Sequence, residues 1–277
     1  MTIGTLDGLI NAMGNSSQIS TCGVFADVVS PIIANIPFAI NILMPGKMGL
    51  IPTPTARGSG GEIPTSATAG SLINFTNPAG TTKTYLSHFS MSTIEGPTSF
   101  SIYDRVYAAS GFDGTVTSAQ TITSMPALTR PGATGLGLQI VLEYYTSPVG
   151  TAQAVTVQYT NSAGVAGRST KSVTMANTTR AGGLTFLTLQ DGDRGVSSIQ
   201  SVTVGTTTGT AGNFGVALYN PVLINQKLSG QSGAISLDFG DTKLPIISDS
   251  AHLILTITQT TQASASSMVG TIKLIQG

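Results

Sequence analysis

Leu136-Gly-Leu-Gln-Ile-Val-Leu-Glu-Tyr-Tyr145 decides the fold. Leu136, Leu138, Ile140, Leu142 and Tyr144 take one side of a two-residue repeat, with Gly137, Gln139, Val141, Glu143 and Tyr145 on the other. Alternation with this period is that of a pleated strand, whose successive side chains point to opposite faces. Val155, Val157 and Tyr159 alternate in the same way with Thr156, Gln158 and Thr160, and Leu253, Leu255 and Ile257 with Ile254, Thr256 and Thr258. Ile272 and Leu274 form the last such pair. Further strands are predicted over 85–93, 99–107, 115–123, 171–175, 184–190, 196–205, 214–224 and 234–239. Between them stand the turn signals Gly96-Pro97, Asp113-Gly114, Arg130-Pro131-Gly132, Pro148-Val149-Gly150, Asp191-Gly192-Asp193 and Gly240-Asp241. Turns spaced about 8–12 residues apart, with no crossover helix, predict an all-β fold: an antiparallel β-sandwich or jelly-roll-like body.

Upstream of residue 84 the pattern changes. All seven tyrosines lie from Tyr85 onward, whereas Pro31, Pro37, Pro45, Pro52, Pro54 and Pro64 crowd the earlier segment. Leu6, Leu9, Ile10 and Met13 have helical spacing and predict one short amphipathic helix over 3–13. Beyond it the prolines forbid long helices, and Arg57-Gly-Ser-Gly-Gly61 reads as flexible backbone. An apolar segment without periodicity must lie on its own body or on a neighbouring subunit. The division expected is an extended, Pro/Gly-rich N-terminal arm with one short helix at 1–83 and a β-sandwich body at 84–277. The body is large enough for one sandwich or two, and if two, the loop at 177–183 is the boundary.

Composition narrows function by exclusion. The 277 residues carry 12 Lys+Arg and 12 Asp+Glu, 9% charged where an ordinary domain has about 25%. Zero net charge gives no footprint for phosphates, so no nucleic acid is expected. Disorder and long coiled helices fit poorly as well. Thr (40) and Ser (30) instead supply a surface solvated by hydroxyls. No basic residue precedes Lys47, which argues against a secretory signal and leaves the Asn15, Asn74 and Asn177 glycosylation sequons without weight. The most apolar stretch, Pro31 to Leu50, is too interrupted for a membrane helix, so no membrane partner is expected.

No motif carries chemistry. Gly164-Val-Ala-Gly167-Arg-Ser-Thr170 departs from a phosphate loop at Ser162 and Arg168, and precedes a strand. Gly132-Ala-Thr-Gly-Leu-Gly137 also precedes a strand, and Asp238-Phe-Gly240 stands without the rest of a kinase signature. His88 and His252 lie in strand-like runs, and Cys22 is alone, which rules out an intramolecular disulfide. Asp191 with Asp193, and Asp238 with Asp241, offer two carboxylates each, short of the six to eight oxygens Ca²⁺ takes, and read as turns. Asp104-Arg105, between Tyr103 and Tyr107, reads as a source of cross-strand ion pairs or interface contacts. The expectation is no enzyme, with no catalytic, cofactor-binding or metal site.

Four blocks, SFSIYDRVYAASGFDGTVT (99–117), PALTRPGATGLGLQIVLEYYT (126–146), VTVQYTNSAGVAGRST (155–170) and GTAGNFGVALYNPVL (209–223), resemble structural proteins encoded by tailed bacteriophages and prophages. The resemblance implies a virion component made in the host cytoplasm, a capsid-associated decoration or cement protein. Its expected partners are the major capsid protein or other virion proteins and further copies of itself, with a trimer as the guess; the arm would clamp onto neighbouring subunits. The alternative is a tail or fibre receptor- or glycan-binding module, with the six tyrosines between 85 and 159 stacking on sugars. A sandwich hydrolase is a third reading and requires two carboxylates to converge in a cleft.

Overall fold

A computed structural model describes residues 3–28, 38–44, 47–49, 51–75, 80, 82–93, 98–146, 150–175, 181–228, 233–259 and 266–277. The elements begin with α1 (Leu6–Gly14), β1 (Ile19–Val28), β2 (Phe38–Met44), β3 (Lys47–Gly49), β4 (Thr84–Thr93), β5 (Thr98–Phe112) and β6 (Gln120–Thr121). There follow β7 (Gln139–Thr146), β8 (Gln153–Asn161), β9 (Arg168–Ser169), β10 (Val173–Met175), β11 (Leu184–Leu187), β12 (Val196–Val204) and β13 (Asn213–Leu228). The chain closes with β14 (Gly233–Leu237), α2 (Phe239–Thr242), β15 (Ile246–Ile247), β16 (Leu253–Gln259) and β17 (Ser266–Gln276).

Every pairing between these strands is antiparallel, and the body is the all-β, sandwich or jelly-roll-like fold expected. A seven-stranded sheet in the order β11-β7-β13-β5-β16-β2-β3 is the common wall. A sheet ordered β1-β17-β4-β14 meets one part of it, around Phe89, Phe100, Ile102, Leu255 and Ile272. A third sheet, β10-β8-β12-β6, closes over the other part, around Val106, Ile140, Leu142, Val157, Tyr159 and Phe214. Each such side chain, fully buried, stabilises by roughly 1.5–3 kcal/mol before entropy is subtracted. The two long strands, β5 and β13, feed both cores. Register shifts bend β13 against β5 at four places, and one of them follows Pro221, where a bulge accommodates the missing N–H.

The described residues before β4 are interleaved with the body. β1 pairs with β17 over ten residues, β2 pairs with β16, and residues 51–75 form a strap that follows the open edge of β5 and then crosses the start of β16. There Glu62 and Ala108 exchange backbone hydrogen bonds at 2.8 and 3.0 Å, and Ser110 N–H donates to Thr55 O at 3.1 Å. A strand edge that would otherwise be free to recruit another chain is thereby covered.

Several local expectations change. The 57–61 stretch is fixed, not flexible. Arg57 donates to Gly111 O (3.1 Å) and Thr121 O (3.0 Å) over the Phe112 ring. Gly61 is required by space: a Cβ there would sit 2.5 Å from Tyr107 Oη, and its φ is +72°. The strand expected over 115–123 shrinks to β6, because Asp113 and Gln120 close a tight turn through side-chain bonds to backbone. Leu136 is 61% exposed and stands ahead of β7, since Gly137 at φ +84° breaks the alternation. His252 precedes β16 rather than lying within it. The helix expected over 3–13 is α1. The turns Gly96-Pro97 and Pro148-Val149, the sequon at Asn177, residues 177–180 of the expected boundary loop, and residues 31–37, 45, 46 and 50 of the apolar stretch fall outside the described residues.

Candidate functional site

The face of the common wall turned away from the two main cores carries a buried ionic layer. Arg105 Nε donates to Glu143 Oε1 at 2.7 Å, and Arg105 Nη2 to Glu143 Oε2. The hydroxyls of Tyr145 and Tyr219 also donate to Glu143, the latter at 2.7 Å. The pair reaches across β13 rather than between neighbouring strands, and small residues clear the way: a Cβ on Gly215 would meet Tyr145 Oη at 2.5 Å. Side-chain exposure is 1% for Arg105 and 0% for Glu143. Burial pushes the Glu143 carboxyl up, but the Arg105 charge and the three donors outweigh it and hold it below the ordinary carboxylate range. Burial, then the Glu143 charge, pushes Tyr145 and Tyr219 well above the usual phenol range. A saturated carboxylate without solvent access has no lone pair left for chemistry. This is a structural layer.

One residue earlier, Asp104 faces Arg130, whose Nε lies 2.9 Å from Oδ2, and accepts the His252 backbone N–H at 2.9 Å. Near the β11–β12 turn, Asp193 accepts from Arg168 Nε (2.9 Å), Tyr159 Oη (2.6 Å) and Asn161 Nδ2 (2.6 Å), bonds that lower it to about 2. Asp191 points to solvent and pairs with Lys171 at 2.7 Å, and Asp238 with Asp241 forms the capping box of α2. The Asp-rich turns are therefore occupied by caps and ion pairs, with Gly192 at φ +90° supplying the turn. Among the described residues no three His, Cys, Asp or Glu side chains gather as a metal site. Burial pushes the Cys22 thiol up, away from a reactive thiolate.

The six tyrosines between 85 and 159 are all buried, Tyr103 being the most open at 9%. None offers a ring face to a sugar, which overturns the stacking expectation. A shallow cleft of about 480 Å³ does open between Gly137–Gln139 and Phe186–Arg194, with half-buried Phe186 as its aromatic wall.

The outward apolar surface was not anticipated. Thr5 caps α1 by accepting the Gly8 N–H at 3.1 Å, and Leu9 and Ala12 are buried, Leu9 against Tyr85 and Ile275. The opposite stripe, Leu6 (62%), Ile10 (57%) and Met13 (47%), faces solvent. Ile246, 61% exposed, stands opposite Tyr85 in the β15–β4 register and so points to the same side of the sheet. The spacing of Leu6, Ile10 and Met13 was visible in the sequence, but a single helix-period pattern does not reveal that both sides of the helix are apolar.

No protein-family model matches the sequence, and no curated protein matches it. Among solved structures, it is similar to a chain of infectious bursal disease virus Gx strain at 9% identity and TM-score 0.20, covering 92% of this chain and 80% of that one. It is similar also to a chain of the infectious bursal disease virus VP2 subviral particle, at 10% identity and TM-score 0.19, covering 93% and 80%. At these values neither topology nor role is carried across.

Proposed function

We propose that the chain is a non-enzymatic structural protein of a tailed-bacteriophage or prophage particle, of the capsid decoration or cement type. In this reading it acts as a homo-oligomer, a trimer, bound to the major capsid protein or another virion protein. The observation that carries the proposal is the stripe of Leu6, Ile10 and Met13, a second apolar face on a helix whose first face is already seated. Exposed apolar side chains grouped on one element mark contact surfaces more often than scattered ones do. Because residues 51–75 are hydrogen-bonded to the chain's own body, the clamp is α1 and not the whole N-terminal region. Support comes also from the phage-like blocks, the low charge of the sequence, and the commitment of Asp104, Glu143, Asp193, Asp238 and Asp241 to ion pairs and a helix cap.

The test mixes the chain with particles produced from the same genome but lacking it. The full chain should sediment with them and raise the temperature at which they rupture. A Leu6→Ser/Ile10→Ser/Met13→Ser variant with unchanged circular dichroism should do neither. Equal binding by both proteins, or binding by neither, defeats the reading. The receptor- or glycan-binding alternative has the Phe186 cleft in its favour, and Phe186→Ala would abolish sugar binding under it.

A further inference from the structure

His252 is wholly buried where the strap crosses the start of β16. Its backbone N–H donates to Asp104, its carbonyl accepts from Arg105 N at 2.9 Å, and its ring Nε2 lies 3.3 Å from Ala69 O on the strap. Ring Nδ1 is buried without a hydrogen-bond partner. The same stretch of strap is held at neighbouring points: Arg130 Nη2 donates to Pro64 O, and Ser66 N to Ser250 O at 3.1 Å. On the downstream side Leu72 N donates to Leu253 O at 2.8 Å, and Leu72, Ile73 and Phe75 are seated in a main core. Upstream, the Glu62–Ala108 bridge is the other anchor. Between the anchors lies 64–70, tied to the body at Pro64, Ser66 and Ala69.

The charges around the imidazole come from every side but the strap. Arg105 and Asp104 face it from β5, Glu143 from β7, and Arg130 from the segment before β7. Asp249 is exposed on its own turn, and residues 64–70 are uncharged. We propose that His252 is an acid-sensing latch, holding strap residues 64–70 closed while its ring is neutral and releasing them when the ring takes up a second proton.

In the closed state the neutral tautomer donates from Nε2 to Ala69 O, which leaves the lone pair of Nδ1 facing no donor. A proton added there would be a buried N–H without an acceptor, next to two guanidinium groups. Burial first, then the Arg105 charge, lowers the imidazole to about 3 from the usual value near 6.5. A depressed folded value contributes stability that is complete above about pH 6.5 and is lost as pH falls toward 3. If lifting the strap restores the ordinary value, the open population grows about tenfold per pH unit in that window, or roughly 100-fold by pH 4.5.

The experiment is hydrogen exchange by mass spectrometry on the full chain at pH 7.5 and 4.5, corrected for intrinsic rates. Peptides covering 63–70 should lose about 100-fold of their protection while those from β13 keep theirs, and His252→Gln should exchange alike at both values. Unchanged protection in the wild type, or an undiminished acid response in His252→Gln, overturns the latch. If His252→Gln does not fold, the wild-type imidazole resonance decides. Titration near pH 6.5 without loss of strap protection overturns the latch, and titration below pH 5 together with that loss upholds it.

Discussion

Replacing Glu143 by Gln removes one charge from the buried layer and almost no volume. Arg105 is then left as a cation with 1% of its side chain exposed, facing an amide whose NH2 group opposes donors from Arg105, Tyr145 and Tyr219. Removing one partner of a buried pair costs about 3–5 kcal/mol, a large part of the roughly 5–15 kcal/mol that holds a domain folded. The exposed pair of Lys171 and Asp191, at side-chain exposures of 55% and 88%, provides the control. Asp191→Asn should cost less than about 1 kcal/mol. Replacing the whole layer, as Arg105→Met/Glu143→Leu/Tyr145→Phe/Tyr219→Phe, leaves neither charge nor hydroxyl unpaired and should recover most of the loss, to within about 1 kcal/mol of wild type or better. Urea unfolding followed by circular dichroism and tyrosine fluorescence, in a chain without tryptophan, measures each midpoint. A Glu143→Gln midpoint as close to wild type as that of Asp191→Asn would refute the account of the layer.

Alkali should unfold the protein, because Tyr145 and Tyr219 are raised well above the usual range and Tyr144 and Tyr159 to about 12. Raised folded values contribute stability that is complete below about pH 10 and lost above it. Phenolate absorbance should therefore rise in one steep step together with loss of the dichroism signal; a gradual titration centred near pH 10 would contradict this. Gly61→Ala should lower the melting temperature through a loss of about 2 kcal/mol or more, since it adds a clash with Tyr107 to a positive φ. Gly164→Ala, at φ +82° with open space around it, should cost only the backbone penalty of about 1–2 kcal/mol, and equal melting temperatures for the two would deny the close approach.

Strands with one buried face were legible because burial writes a period of two into the sequence. Val155, Val157 and Tyr159 enter one core, and Leu253, Leu255 and Ile257 the other, as their alternation requires. β7 was legible as a strand but not as one buried on both sides. The polar partner of its second face, Arg105, lies far away in sequence, and Glu143 looks like a solvent-facing residue until that partner is placed. The strap left no pattern because its ties run through backbone atoms of Thr55, Glu62, Pro64 and Ser66, and its side chains owe nothing to a repeat. Nor could spacing bring Ala69, Asp104 and Arg130 to His252. Three of the phage-like blocks coincide with β5, β7 and β13 of the common wall and contain Arg105, Glu143, Tyr145 and Tyr219, and the fourth coincides with β8 of the sheet that closes over it, so they describe the core of the body rather than a surface that meets a partner.

The most direct test of the central claim is the copy number and position of this chain in purified particles, by quantitative mass spectrometry with cryo-electron microscopy. The account requires hundreds of copies on the head, with Leu6, Ile10 and Met13 against a neighbouring chain. Particles without the chain, or with a few copies confined to the tail and α1 open to solvent, would contradict it.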